Sequence, residues 1–103
     1  MDWKKLRRKI PHRVQVSKDA WYEVLYVDDF KDGSTYGETR FDPRQIVIQN
    51  SLSPKLTVVT YLHECAHAFS EEHEVGLTEN QILALEKAFY YMLKADNLFP
   101  EKK

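Results

Sequence analysis

The chain has 103 residues, 43% of them hydrophobic and 13% aromatic, and a formal net charge of −1. We expect residues 1–103 to form one domain, because two halves would each be too small to bury a core. The composition excludes a disordered chain, and the near-neutral charge gives no global field that would attract nucleic acid. No stretch approaches the roughly 20 apolar residues of a membrane span, and no signal peptide is recognisable. The single cysteine, Cys65, excludes an intramolecular disulfide. We therefore expect a cytoplasmic protein without membrane association.

Basic residues crowd the N-terminus of the chain. We expect positions 1–10 to be a solvated, frayed terminus. The alternative is a docking arm for an acidic partner. The residues concerned are Lys4, Lys5, Arg7, Arg8, Lys9 and Arg13.

The first half of the chain has the patterns of β-strands. Val14 and Val16 alternate with polar neighbours, and positions 21–27 are rich in aromatic and β-branched residues. Two further strands are predicted at 36–41 and 45–49, separated by a break at Asp42-Pro43. We expect an antiparallel meander of three or four strands, with 45–49 at its edge.

The second half has the pattern of two helices. Ser53 and Pro54 are typical of an N-cap and a first helical position, and this helix is predicted to end near Glu72. Thr78 and Gln81 match a capping box that opens a second helix, which we expect to end near residue 97. The fold class is therefore α+β, a small and mainly antiparallel sheet followed by two helices. The predicted buried faces are Val58, Leu62, Cys65 and Phe69 on the first helix and Ile82, Leu85, Phe89, Met92 and Leu93 on the second.

Residues 63–67 read His-Glu-Cys-Ala-His, the HExxH pattern, inside the first predicted helix. Residues four apart on a helix differ by about 40° around the axis, so His63 and His67 can offer ring nitrogens to one ion. Glu64 lies about 100° from His63, where it can reach a water molecule without occupying a coordination position. Two histidines can share a helix by chance, but these flank the apolar face, which favours a metal site. The pattern predicts bound zinc, with Glu64 as the catalytic base.

Three residues compete to be the third ligand. Glu79 opens the second helix and can point at the first, which gives a set of two histidines and one glutamate. His73 has the spacing of the extended pattern HExxHxxGxxH, but Ser70 stands where that pattern requires glycine. Glu86 is the remaining candidate. We favour Glu79.

The segments 62–69 (LHECAHAF), 77–79 (LTE) and 81–85 (QILAL) resemble small zincin-like proteins of phages and prophages. These are similar to minimal gluzincins and to the ImmA/IrrE-type metallopeptidase domain. The match spans about residues 36–98. It implies zinc, a glutamate ligand on the following helix, for which Glu79 fits, and a phage or bacterial cytoplasmic setting. Cys65 stands where the family usually shows an aliphatic residue, on the apolar side of the helix. The resemblance implies no particular substrate.

The leading functional hypothesis is a zinc-dependent peptidase in which Glu64 activates water. Its partner would be a peptide or protein substrate, held along the strand at 45–49 by strand addition. The alternative is a catalytically weak regulatory or interaction protein that zinc stabilises. Its basis is size, because gluzincin-type peptidases commonly have a second domain that forms the far wall of the cleft. Nucleic-acid binding has only the basic N-terminus in its favour and is not expected. The sequence gives no oligomeric state.

Overall fold

The computed structural model describes residues 2–30 and 35–94, which contain three helices and four strands. The helices are α1 (Trp3–Arg8), α2 (Pro54–Glu72) and α3 (Glu79–Lys94); the strands are β1 (Arg13–Ser17), β2 (Ala20–Val27), β3 (Gly37–Phe41) and β4 (Arg44–Gln49). The predicted α+β class is confirmed, with four strands and two long helices. The predicted end of the second helix near residue 97 lies outside the described residues. In the described part of the chain, no helix is long and apolar enough to cross a membrane.

The short helix α1 lies in the segment for which a frayed terminus is predicted. The Asp2 side chain caps it by accepting a hydrogen bond from the main-chain nitrogen of Lys5, at 3.0 Å. The helix packs against α2, and the guanidinium of Arg7 donates to the main-chain oxygen of Asn50. The basic N-terminus is therefore attached to the body of the protein from residue 3 to residue 8.

The four strands form one mixed sheet in the order β1-β2-β4-β3. Strand β4 pairs in parallel with β2 on one side and antiparallel with β3 on the other. The predicted antiparallel meander is wrong, and so is the placing of 45–49 at the edge. The physical reason lies in Ile46, Val47 and Ile48, all fully buried, since an unbroken apolar run is typical of an interior strand covered on both faces. The outer strands are β1 and β3.

Helix α2 lies across the sheet and shares its core. Its start is as predicted, because the Ser53 hydroxyl accepts from the main-chain nitrogen of Leu56 and Pro54 is the first helical residue. Val58 and Ile82 are buried as predicted, whereas Leu85 is 36% exposed. Phe69 is 44% exposed and packs on the ring of His73. The predicted burial of Met92 and Leu93 lies outside the side chains that the structure describes. One core cluster consists of Ala20, Tyr22, Val24, Ile46, Ile48, Leu52 and Ala68.

Candidate metal centre

Helix α2 brings His63 and His67 together as their spacing predicts. The ring centroids are 5.0 Å apart with 63° between the ring planes. The His63 side chain is 19% exposed and that of His67 32%. Both rings therefore border the core and still reach solvent, which a site open to exchangeable ligands requires.

The turn between α2 and α3 determines where Glu79 lies. Glu74 and Gly76 have positive φ angles, of 53° and 66°, and reverse the chain direction. The main-chain oxygen of Ser70 accepts from the nitrogen of Val75, and its hydroxyl accepts from the nitrogen of Leu77 at 2.8 Å. Ser70, found where the extended motif would need glycine, thus closes the turn by hydrogen bonding. The chain returns along α2, with Glu79 facing the two histidines.

The predicted capping box then starts α3. The main-chain nitrogen of Thr78 donates to the Gln81 side chain at 2.9 Å, and the nitrogen of Gln81 donates to the Thr78 hydroxyl at 3.2 Å. These reciprocal bonds satisfy two donors at the helix start. They also fix Glu79 as the first residue of the helix.

The three side chains meet in one cluster. The Nε2 atom of His63 lies 3.1 Å from Oε1 of Glu79, and Nε2 of His67 lies 3.3 Å from Oε2 of the same carboxylate. One ligand atom from each residue lies within 4.8 Å of the other two. Tetrahedral zinc, with bonds of about 2.0–2.2 Å, separates its ligand atoms by roughly 3.4 Å. The donors therefore have the type and spacing that a metal ion needs.

The other two candidates for the third ligand lie elsewhere. His73 ends α2, and its Nε2 atom lies 2.9 Å from the main-chain oxygen of Val16 on β1. Glu86 faces the opposite side of the His63 ring, with Oε2 3.7 Å from Nδ1. A carboxylate behind a metal-binding histidine commonly orients the ring and fixes its tautomer. The position of Glu86 suits that role, and Glu79 suits the ligand position.

Glu64 reaches toward β3 and is 8% exposed. The hydroxyl of Thr39 lies 2.8 Å from Oε1 of Glu64 and 2.9 Å from its main-chain oxygen. Sequence reasoning did not identify Thr39, because its contact depends on how the edge strand packs on the helix.

One residue in the sequence could have indicated the close approach of β3 to α2. It is Gly37, two residues before Thr39 on the same face of β3. A Cβ atom at Gly37 would lie 2.5 Å from Cγ2 of Thr60, 3.1 Å from Cγ of Glu64 and 3.3 Å from the main-chain oxygen of Val47. A side chain there would force Thr60 or the strand itself to shift. Glycine permits the close approach that brings Thr39 to Glu64.

A cavity of about 310 Å³ lies between β3, α2 and α3 beside this site. Leu56, Val59 and Leu83 contribute apolar lining, whereas His63, Glu64 and Glu86 are among the residues that contribute polar groups. The cavity therefore offers space for an apolar group directly beside His63 and Glu64 of the HExxH motif.

Cys65, inside the motif, faces away from the cluster toward the core. Burial raises the pKa of its thiol to about 12, so the thiol stays protonated at neutral pH. A protonated thiol is a poor metal ligand and a poor nucleophile. Cys65 therefore acts in packing.

Comparison of the chain with protein-family models, with curated proteins and with solved structures gave no match. The description of the centre therefore rests on its own geometry: two imidazoles and a carboxylate that can hold a metal ion, with a second carboxylate beside them.

Proposed function

We propose that the protein is a zinc-dependent peptidase of the minimal gluzincin kind. His63, His67 and Glu79 would hold the ion, and Glu64 would act as the general base. The observation that carries the proposal is the convergence of both Nε2 atoms on the Glu79 carboxylate, next to a Glu64 carboxylate that lines a cavity.

The donor set favours zinc among the common metal ions. Imidazole nitrogens with one carboxylate are a usual zinc set, whereas calcium and magnesium prefer oxygen ligands alone. When bound, zinc supplies Lewis acidity, which polarises a carbonyl and makes water acidic enough to attack near neutral pH. Three protein ligands leave a position open for that chemistry.

Glu64 supplies the proton transfers. Its carboxylate accepts a proton from water as the water oxygen bonds to the carbonyl carbon of the peptide. It then gives that proton to the amide nitrogen as the carbon–nitrogen bond breaks. The products are a carboxylic acid and an amine, and Glu64 is again a carboxylate for the next cycle.

The substrate would be an extended peptide with an apolar side chain beside the scissile bond. Strand β3 is an outer strand of the sheet formed by the described residues and borders the cavity through Gly37, so a peptide could add to its outer edge by main-chain hydrogen bonds. The apolar wall of Leu56, Val59 and Leu83 would receive the side chain. Substrate binding by strand addition is therefore assigned to β3 and not to 45–49, because β4 is paired on both sides.

The test is the variant Glu64→Gln, measured with a fluorogenic peptide library on zinc-loaded protein. We expect zinc content to stay at the wild-type level and cleavage to fall by at least about 100-fold, since general-base catalysis contributes about 10²–10⁴-fold. The matched control is Glu72→Gln on the same helix, which should keep cleavage. Equal activity of Glu64→Gln and wild type would sink the assignment.

A second candidate is a zinc-stabilised interaction protein without catalysis. The observation that favours it is the thin packing of α3, in which Ile82 is the single buried residue among the described side chains of that helix. A metal held by Glu79 on α3 and by both histidines on α2 would join the two helices. A large rise in melting temperature with zinc, together with no cleavage of any library peptide, would favour this candidate over the first.

A further inference from the structure

The hydroxyl of Thr39 contacts Glu64 at two points. It lies within hydrogen-bonding distance of carboxylate Oε1 and of the main-chain oxygen. A threonine hydroxyl has one proton, so the two acceptors share it. A glutamate side chain has several rotatable bonds and loses freedom when its far end is held. Thr39 therefore fixes the carboxylate of Glu64 relative to the helix backbone that carries it.

The two oxygens of the Glu64 carboxylate have different surroundings. Oε1 accepts from Thr39, whereas among the described residues no hydrogen bond or ion pair engages Oε2. Glu64 lines the cavity, and no side-chain oxygen in the described part of the chain is buried without a partner. Oε2 is thus the carboxylate oxygen that the Thr39 hydroxyl leaves available for another partner. A catalytic base needs one oxygen directed at the water it deprotonates.

We propose that Thr39 is a positioning residue for Glu64. Its hydroxyl holds Oε1 and so directs Oε2 at the place of the attacking water. The inference rests on the proposed peptidase function, because it assigns Thr39 a part in that reaction. It also makes β3 responsible for two tasks, since its outer edge would bind the substrate while its inner face orients the base.

The close approach of β3 to α2 makes the contact possible. The threonine hydroxyl is attached directly to Cβ, so it reaches Glu64 only from a strand that lies near the helix. Gly37 provides that proximity on the same face of β3. The Thr39 side chain points at the helix and not at the outer strand edge, so its loss should affect catalysis more than substrate binding.

The experiment compares Thr39→Val, which removes the hydroxyl at nearly constant shape, with Thr39→Ser, which keeps it. We expect Thr39→Val to lower kcat by about 10- to 100-fold, because misplacing a catalytic group by about 1 Å can cost about 100-fold. KM should change less than about twofold and zinc affinity less than about threefold, while Thr39→Ser recovers most of kcat. Equal losses in Thr39→Val and Thr39→Ser would overturn the proposal.

The matched control is Thr57→Val. Thr57 is a fully buried threonine of α2 whose hydroxyl donates to the main-chain oxygen of Ser53 at 2.8 Å. This variant should lower the melting temperature and leave kcat unchanged. A kcat loss in Thr57→Val as large as that in Thr39→Val would mean that any lost threonine hydroxyl impairs the enzyme, which contradicts positioning.

A second readout needs no activity. In metal-free protein the carboxyl ¹³C resonance of Glu64, assigned by its absence in Glu64→Gln, should move in Thr39→Val and stay in place in Thr57→Val. An unmoved resonance in Thr39→Val contradicts the inference whether or not the protein cleaves peptides. If the wild type cleaves nothing, the peptidase proposal fails, and the resonance still decides whether Thr39 holds Glu64.

Discussion

Two glutamates on helix α2, Glu64 and Glu72, have closely related surroundings that differ in one partner. Both are shielded from water, with Glu64 8% exposed and the Glu72 side chain 12% exposed. Both accept a hydrogen bond from a hydroxyl, that of Thr39 for Glu64 and that of Tyr22 for Glu72, at 2.8 and 2.6 Å. The difference is a cation, because Arg44 donates two hydrogen bonds to Glu72, at 2.9 and 3.0 Å.

The guanidinium of Arg44 is the main difference between the surroundings of the two carboxylates. The Arg44 hydrogen bonds, with that of Tyr22, lower the pKa of Glu72, so it remains charged and holds the end of α2 against β2 and β4. Glu64 has no ion pair among the described residues and lines a cavity. A carboxylate with both oxygens held by neighbouring side chains serves structure, whereas one held at a single oxygen keeps the other for chemistry.

The largest expected effect is on zinc affinity, which should depend on His67 and not on Glu72 at the C-terminal end of α2. His67→Ala should weaken zinc affinity by at least about 100-fold, or about 2.7 kcal/mol, since even the loss of a residue that only orients a ligand costs about 10- to 100-fold. Glu72→Gln should leave zinc affinity within about twofold. Competition with a chromophoric chelator measures both, and similar losses in the two variants would remove the distinction.

Zinc should also raise the melting temperature, and this rise should depend on His67 and not on Glu72. At a free zinc concentration about 100 times Kd, the gain is about 2.7 kcal/mol, or roughly 10–20 °C in melting temperature for a domain of this size. Glu72→Gln should melt lower than wild type without metal and show the same zinc-dependent rise. His67→Ala should lose the rise. Thermal melts with zinc and with chelator are the measurement, and a full rise in His67→Ala would contradict the ligand set.

A smaller effect is expected at Glu86, behind the His63 ring. Glu86→Gln removes the charge that faces Nδ1 at 3.7 Å and keeps the shape of the side chain. We expect zinc affinity to fall about tenfold, or about 1.4 kcal/mol, because the carboxylate orients the ring and raises its basicity. The same chelator titration applies. Unchanged affinity would assign Glu86 to the cavity wall alone.

The features that sequence predicted are those that local chemistry determines. The helical spacing of His63, Glu64 and His67 gives their relative placement without any knowledge of the rest of the fold. The caps at Ser53 and at Thr78 are likewise set by neighbours three residues away. The nearness of Glu79 followed from a short turn between two helices, which leaves little freedom in where the second helix starts.

The features that sequence missed depend on pairing between distant segments. Strand β4 inserts between β2 and β3. The apolar run at 46–48 indicates an interior strand, but it does not say which strands lie on either side. The contact of Thr39 with Glu64 follows from that order, because β3 becomes the edge that lies against α2. The network of Tyr22, Arg44 and Glu72 joins three segments and could not be read from any one of them.

The pH dependence of stability tests the structural role of Glu72. Tyr22→Phe removes one hydrogen bond to the Glu72 carboxylate and should cost about 1–2 kcal/mol at pH 7, with zinc affinity unchanged. The folded pKa of Glu72 lies below its ordinary value, so its stabilisation is present above the ordinary carboxyl pKa and is lost as pH falls through the folded value.

The stability difference between Tyr22→Phe and wild type should therefore shrink on acidification, because the bond is strongest to the ionised carboxylate. Urea unfolding of the two proteins at pH 7 and at about pH 3 measures this difference. A difference that grows toward acid would mean that Tyr22 does not act through the charged form of Glu72. In that case Arg44 alone would distinguish the surroundings of Glu72 from those of Glu64. The variant Arg44→Met should then remove the pH dependence of unfolding free energy that persists in Tyr22→Phe.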